Sequence, residues 1–403
     1  MHVCFLCNEY PPGPHGGVGS FTQTLARALV GRGHQVTVTG VYPRERSGEE
    51  NDQGVRVLRL PHAEIPGTGL IVNGARLRDA LRQVHQQSPI DIIEGPEISL
   101  AVIPKDFPAA RVIRMNGGHQ FFAATLGAQP RRWRSWLERR SFAHANHLCA
   151  VSNFVAETTR QLLQLGNLPI EILPNPVDTL RFHPQPAEVE EDGVILFVGT
   201  VCEKKGVRQL VQAMPQIAAA APHAKLWIAG RDWNDPQTGE SFIEKLRGMI
   251  SPDLTEKIIF KGRIEHAELP ALMGKASICV YPSHMEAMPL AWLEGLAMGK
   301  AIVASQTGPG PEAIEDGVSG LLCNPHEPGS IAEKIIQLLK DAELRQRLAK
   351  QARQRAINVF SVETLTERNE AFYAHCLALD RGRNVRASAV QQTILPRGTD
   401  SNS

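Results

Sequence analysis

Two hydrophobic periods alternate along the first 172 residues. The short apolar runs HVCFLC, HQVTVTGV, VRVLRL, IDIIEG, RVIRMN, HLCAVS and IEILPN are bounded by turn residues and read as strands. Between several of them the apolar positions recur at helical spacing, as in Phe21–Gly31, Gly74–Gln87 and Asn153–Leu165. Strand–helix alternation predicts parallel strands joined by crossover helices, an α/β layered domain.

The pattern breaks at PNPVDTLRFHPQPAEVEEDG, Pro174 to Gly193, which is dense in proline and charge and follows neither period. This stretch reads as an interdomain linker. A second series follows, with strands in VILFVGT, AKLWIAG, KIIFKG, SICVYPS and KAIVAS. Its helices are expected over Val207–Ala221, Glu240–Ile250, Ala267–Gly274 and Pro289–Met298. Further helical stretches lie near Ser330–Lys340, Asp341–Val359 and Val362–Ala378. From Arg381 to Ser403 the chain is polar and reads as a disordered tail. The expected organisation is α/β, with two Rossmann-like doubly wound domains facing across a cleft. The first covers residues 1–177 and the second 178–361; a helix over 362–380 follows, then the tail 381–403.

Composition narrows this picture. Over 403 residues the formal net charge is only +1, which argues against nucleic acid as a partner. Seven cysteines, an odd and scattered set, do not suggest a disulfide framework. Cys4 and Cys7 form a C-x-x-C, but inside an apolar strand and without a second pair at zinc spacing, so buried thiols are expected. The N-terminus lacks the basic and apolar regions of a signal peptide, and no apolar run approaches a membrane span. A cytoplasmic protein is expected, soluble or resting on a membrane surface.

The segment SHMEAMPLAWLEGLAMGKAIVAS, Ser283 to Ser305, carries the candidate chemistry. Pro289 suits the first turn of a helix and Gly299 the position just past its end. Glu286 then falls in the preceding loop and Glu294 inside the helix. At roughly 1.5 Å of rise per residue the two carboxylates stand on the order of 10 Å apart. That spacing suits the two ends of one extended ligand better than a pair attacking one bond. The helix N-terminus between them offers free N–H groups to phosphate.

In open α/β sheets ligands bind beyond the carboxyl ends of the strands. The loop after the first strand, NEYPPGPHGGVGSF, places Gly16, Gly17 and Gly19 before a helix. It matches neither a dinucleotide fingerprint nor a Walker A loop. In FVGTVCEKKGVRQLVQA, Gly199 opens the loop after a strand and Lys204–Lys205 precede a helix, where a lysine runs against the dipole unless an anion is present. His119, in RMNGGHQFF, follows a first-domain strand end. The segment Arg131–His147, RRWRSWLERRSFAHANH, mixes arginine with tryptophan. It reads either as a contact with an anionic membrane surface or as a solvated helix with its tryptophans turned inward.

Taken in order, GGVGSFTQTLARALVGRGHQVTV, FVGTVCEKKGVRQLVQA, IIFKGRIEHAELPALMGKASICVYPSHMEAMPLAWLEGLAMGKAIVAS and GPGPEAIEDGVSGLLC closely resemble the retaining nucleotide-sugar glycosyltransferases of family 4. The resemblance covers the chain to about residue 378 and implies the GT-B fold. It implies that Glu294 binds the donor ribose, Glu286 the donor sugar hydroxyls, and the backbone segment Ala287, Met288, Pro289 and Leu290 the diphosphate. It implies that Lys205 neutralises that diphosphate and that Gly16, Gly17 and Gly19 let it come close. His119 resembles the family's first-domain histidine beside the donor sugar. Two positions depart from the pattern: Thr200 replaces the usual arginine after Gly199, so that Lys204 becomes a candidate substitute, and Pro309 replaces a common glycine.

The implied donor is UDP- or GDP-linked, the acceptor a glycan or a lipid-linked molecule, and the product a glycan, polysaccharide or glycolipid. No metal and no separate cofactor is expected, since lysine and helix dipoles can carry the leaving-group charge. Two alternatives stay open: a non-catalytic nucleotide-sugar binder of the same fold, motivated by Thr200, and a dehydrogenase, which the imperfect glycine pattern disfavours.

Overall fold

A computed structural model describes residues 1–65, 67–185 and 190–394, with side-chain surroundings through residue 382. The chain forms two α/β domains, each built on a largely parallel sheet. The first sheet uses β1 (His2–Leu6), β2 (Gln35–Tyr42), β3 (Gly48–Asp52), β4 (Val55–Pro61), β5 (Ile92–Gly95), β6 (Ala110–Met115), β7 (His147–Ala150) and β8 (Ile170–Ile172). Its order is β3-β4-β2-β1-β5-β6-β7-β8. The second uses β9 (Val194–Val198), β10 (Lys225–Ala229), β11 (Ile258–Gly262), β12 (Ile278–Tyr281), β13 (Ala301–Ser305) and β14 (Leu321–Cys323), in the order β11-β10-β9-β12-β13-β14.

Helices α1 (Gly17–Gly31), α2 (Gly69–Gln87), α3 (His119–Thr125), α4 (Arg132–His144) and α5 (Asn153–Leu163) cover the first sheet. The second domain carries α6 (Val207–Ala220), α7 (Phe242–Arg247), α8 (Leu269–Lys275), α9 (Leu290–Ala297), α10 (Gly310–Ala313), α11 (Pro328–Lys340) and α12 (Ala342–Arg355), and the long α13 (Val362–Ile394) ends the described chain. Strands covered on both faces are mostly apolar, and β1 and β13 are buried at every residue. That is why the apolar runs located them. The exception is β3, GEEND, antiparallel to β4 at the sheet edge. Its charge suits an exposed edge and hides it from a hydrophobic pattern.

Several boundaries differ from the sequence reading. Helix α2 begins at Gly69, because its first turn lies exposed and needs no apolar periodicity. Helix α7 is confined to Phe242–Arg247, where Ser241 caps it by accepting from Glu244 N–H. Pro289 is the cap of α9 rather than part of its first turn. Beyond α12 the chain makes a π turn over Ala356–Phe360. The tail reading is corrected over 381–394, where α13 continues to Ile394 without a proline to stop it; residues 395–403 lie outside the described residues. Cys4 and Cys7 are buried and free, and loss of hydration pushes their thiols up to about 12 and about 11.

The chain passes between the domains twice at one place. Val177 N–H donates to Phe360 O at 2.8 Å, and Val362 N–H returns to Val177 O at 3.1 Å. The supposed linker is therefore partly built in, with Val177 and Phe182 buried; its residues 186–189 lie outside the described residues. Helix α13 then crosses back onto the first domain. Tyr373 and Cys376 join its core, and Tyr373 OH donates to Glu94 Oε2 at 2.9 Å. Glu94 also pairs with the buried Arg114 at 2.7 Å, and Arg114 donates to Asn369 of α13.

Candidate active site

The carboxyl ends of both sheets face one cleft. Across it, Ser152 Oγ donates to Ala287 O at 2.9 Å and Asn175 Nδ2 to Met288 O at 2.8 Å. The Glu312 carboxylate accepts from the N–H groups of Asn153 and Phe154 at 2.6 and 2.8 Å. These bonds hold the second-domain loop 286–289 and α10 against the start of α5 and the segment after β8.

Within the cleft is a pocket of about 400 Å³ lined by both domains. Helix α1 enters it through Gly16, its extended cap, and Gly17; neither end carries an acidic side chain in the first turn. Helix α9 enters from the other side, again with no acid in its first turn. Two helix N-termini thus aim N–H groups and positive dipole ends into one space; at α1 the Glu9 carboxylate takes the Gly19 N–H, and the remaining N–H groups suit an anion.

Lys205 adds a full charge. It ends the short turn Glu203–Lys205, and Gly206 follows in the left-handed region at φ 68°. A Cβ on Gly206 would lie 1.8 Å from Pro282 O, so only glycine lets this turn pack against the loop that carries Glu286. Lys205 Nζ accordingly donates to Glu286 Oε1, and the carboxylate is buried. Eight residues on, the Glu294 carboxylate is also buried and accepts from His266 Nε2 at 2.9 Å. A carboxylate only accepts, so the ring proton of His266 sits on Nε2. The other side of that ring leans on Phe182, with centroids 5.5 Å apart. A second chamber of about 780 Å³ shares His15, Ser20, His266, Leu290 and Glu294 with the first and runs along α1 toward the paired crossing at Val177 and Val362. The cleft therefore continues past Glu294 along α1, with the Glu286 carboxylate held by Lys205 and the Glu294 carboxylate by His266.

The structure brings ten of the sequence candidates together in this pocket: Gly16, Gly17, Gly199, Lys205, Glu286, Ala287, Met288, Pro289, Leu290 and Glu294. Four stand elsewhere. Gly19 is buried behind the loop, its N–H donating to Glu9 Oε1 at 2.8 Å, and a Cβ there would meet Glu9 O at 2.0 Å. Lys204 reaches across the cleft to lie over the Phe122 ring at 4.4 Å. Thr200 Oγ1 accepts from Arg231 Nε at 3.5 Å. His119 begins α3, but its Nε2 accepts from Arg131 N–H at 2.8 Å and the residue is not among those lining the pocket. Its place is taken by Asn116 of the preceding loop and Phe122 of α3 itself.

Sequence reasoning also passed over His15 and His266, isolated histidines in polar loops with no periodicity to mark them. It passed over Glu97 too, which lies beneath the pocket and accepts from Asn116 N–H at 2.6 Å. Burial, with the nearby charge of Glu138, pushes the Glu97 carboxyl up to about 7. The signal available for it was its place after a strand, in IDIIEGPE. Among the described residues no group of three or more His, Cys, Asp or Glu stands close enough to hold a metal ion.

Two α/β domains with largely parallel sheets, their carboxyl ends facing one cleft, are the architecture of the GT-B glycosyltransferases. The chain is a GT-B glycosyltransferase of the group 1, family 4-like kind. Residues 15–181 match the family described as Glycosyltransferase Family 4, and residues 178–355 match Glycosyl transferases group 1. It is 28% identical over 418 aligned positions to a glycogen synthase of Mycobacterium tuberculosis, covering 95% of this chain and 96% of that protein. It is 25% identical to a GDP-mannose-dependent α-(1-6)-phosphatidylinositol monomannoside mannosyltransferase of Mycolicibacterium smegmatis, over 84% of this chain and 89% of that one. Among solved structures, a sucrose-phosphate synthase of Thermosynechococcus elongatus superposes with a TM-score of 0.81 at 21% identity, covering 94% of this chain and all of that one. An Anabaena protein, HepE, in complex with UDP and glucose gives a TM-score of 0.71 at 17% identity, over 93% of this chain and 100% of that one.

Proposed function

We propose that the protein transfers a sugar from a UDP- or GDP-linked donor to an acceptor hydroxyl with retention of configuration, in the synthesis of a glycan, polysaccharide or glycolipid. The observation that carries this reading is the joint lining of one pocket by the α1 and α9 N-termini, Lys205, Glu286 and Glu294. A nucleotide sugar has that pattern in complement: a ribose diol at one end, sugar hydroxyls at the other, and two phosphates between.

In this reading Glu294, steadied by His266, accepts from the ribose hydroxyls, and Glu286 accepts from the sugar. The N–H groups at the start of α9 and of α1 surround the diphosphate, and Lys205 turns from Glu286 to neutralise it. The acceptor hydroxyl attacks the anomeric carbon on the face from which the diphosphate leaves. The C–O bond to phosphate breaks, the new C–O bond forms, and the departing phosphate oxygen takes the acceptor proton. The protein's share is positioning and stabilisation of charge on the leaving group, without a metal. His119 acts from behind, by tying the α3–α4 connection to the start of α3. Beside Thr200, Arg231 supplies a cation near the Gly199 loop.

Calorimetric titration with UDP, GDP, ADP and NAD, repeated on Glu294→Ala, tests the reading. Selective binding of one nucleoside diphosphate, lost in the variant, supports it. Binding of NAD alone, or of no nucleotide, overturns it. Nucleotide binding without turnover on any acceptor moves the protein to the binder class.

A further inference from the structure

The tryptophans of α4 do not turn inward. Trp133 and Trp136, three apart and so on one helix face, are 57% and 56% exposed, while Leu137, Ser141 and His144 carry the packing. Each has an arginine over its ring, Arg134 at 5.3 Å from Trp133 and Arg140 at 5.8 Å from Trp136. Arg131 and Arg132 are exposed beside them, as is Leu126 on the approach to the helix. From Ala123 to Asn153 the single acid is Glu138, which is buried and accepts from Gln120. A chain with a net charge of +1 thus concentrates unopposed positive charge on one aromatic surface.

Neighbouring elements extend that surface. The short turn Ser99–Val102 is flanked by α4, where Arg140 Nε donates to Ala101 O at 2.8 Å, and by α2, where Gly74 stands against Val102. One turn toward each helix N-terminus lie Trp136 on α4 and the exposed Leu70 and Ile71 on α2; Ile98, also exposed, opens the turn between them. Apolar side chains from three elements are bare along the rim where the first-domain strands end. Amphipathic aromatic rings with arginine around them fit the headgroup level of a bilayer, and the positive charge selects an anionic one.

We infer that this face, centred on Trp133, Trp136, Arg131, Arg132 and Arg134, docks the protein on an anionic phospholipid surface. The surface is tied to the cleft, since α3 contributes Phe122 to the pocket and His119 accepts from Arg131 N–H. Docking rests on the surface alone. Only its corollary, that a lipid-linked acceptor reaches the first-domain side of the cleft from the bilayer, rests on the glycosyltransferase reading.

The test is cosedimentation of the full chain with vesicles of phosphatidylglycerol and phosphatidylcholine, and with phosphatidylcholine alone, from low to high salt. Binding is expected on the anionic vesicles only, weakening as salt rises. Each arginine near such a surface contributes about a fivefold factor, so Arg132→Ser/Arg134→Ser should bind more than tenfold more weakly. Trp133→Ser/Trp136→Ser should lose binding at low salt as well, with its thermal melt unchanged. Failure of the wild type to bind anionic vesicles at low salt overturns the inference. So does equal binding by the tryptophan variant, or equal binding to neutral vesicles. Nucleotide titration of the same variants keeps the two readings apart, because the cleft is untouched and donor binding should stay at the wild-type level.

Discussion

Lys205 and Glu286 come from different loops of the second domain and meet as an ion pair on the wall of the cleft, the carboxylate side chain only 9% exposed. Truncating one member leaves the other desolvated and alone, which costs about 2–5 kcal/mol. Lys205→Ala also removes the cation from the leaving diphosphate, so it should lower kcat/KM by about 100-fold or more and weaken binding of a nucleoside diphosphate. Glu286→Gln should spare nucleotide affinity and reduce turnover. Steady-state kinetics beside calorimetry separates the two; equal loss of nucleotide affinity in both would deny them distinct roles.

His266 holds Glu294 from outside, and its ring is half exposed. Removing the hydrogen bond in His266→Ala should raise the donor KM about fivefold and leave kcat nearly unchanged, a penalty of about 1 kcal/mol discounted for solvent. His266→Gln should recover most of the loss, since its amide can donate to the same oxygen. No rescue by glutamine would mean that the ring serves only to pack on Phe182.

The glycines of the α1 loop differ in what they are for. Gly19 has no room for a Cβ, being 2.0 Å from Glu9 O, so Gly19→Ala should destabilise the fold by about 1–3 kcal/mol. Gly17 has nothing within 4 Å, so Gly17→Ala should fold normally. If a diphosphate closes on that backbone, the added methyl will still weaken donor binding several-fold. Thermal melts and nucleotide titration of the two variants, run together, check both statements; unchanged binding in Gly17→Ala would place the ligand elsewhere.

Glu97 sets a pH dependence. Its carboxyl is pushed by burial, and then by Glu138, from 4.5 to about 7, so the fold binds this proton more tightly than the unfolded chain does. The associated stability is fully present below about 4.5 and is lost as pH rises through about 7, to a total of about 3 kcal/mol. Glu97→Gln cannot ionise and should be more stable than wild type at pH 8 by an amount that shrinks toward pH 5. Denaturant melts across that range measure the difference; a constant offset would show that Glu97 is charged throughout.

Parallel strands and their crossovers were legible because burial on both faces makes a strand continuously apolar, as in VILFV and AIVAS. The acid pair was legible because α9 sets the spacing of Glu286 and Glu294 locally. What stayed hidden depends on partners distant in sequence. The sequence puts His119 after a strand end, but only the packed loop shows that its ring is taken by Arg131 N–H. Arg231 reaches Thr200 because Gly230 packs directly on Gly199 O, a crossing between two loops that no spacing announces. His266 lies 28 residues from Glu294 and met it only through folding.

The backbone pairing of Val177 with Ser361 fixes more than a position. Two chain crossings laid side by side act as a piano hinge rather than a tether: they permit rotation about the line they share and resist sliding along it. A swing of the domains would separate α1 from α9 and break Ser152–Ala287, Asn175–Met288 and the Lys204–Phe122 contact together. The second-domain group Lys205, Glu286, Glu294 and His266 would travel as one rigid plate. The protein would then open its cleft like a book whose right-hand page already carries half of the ligand's imprint.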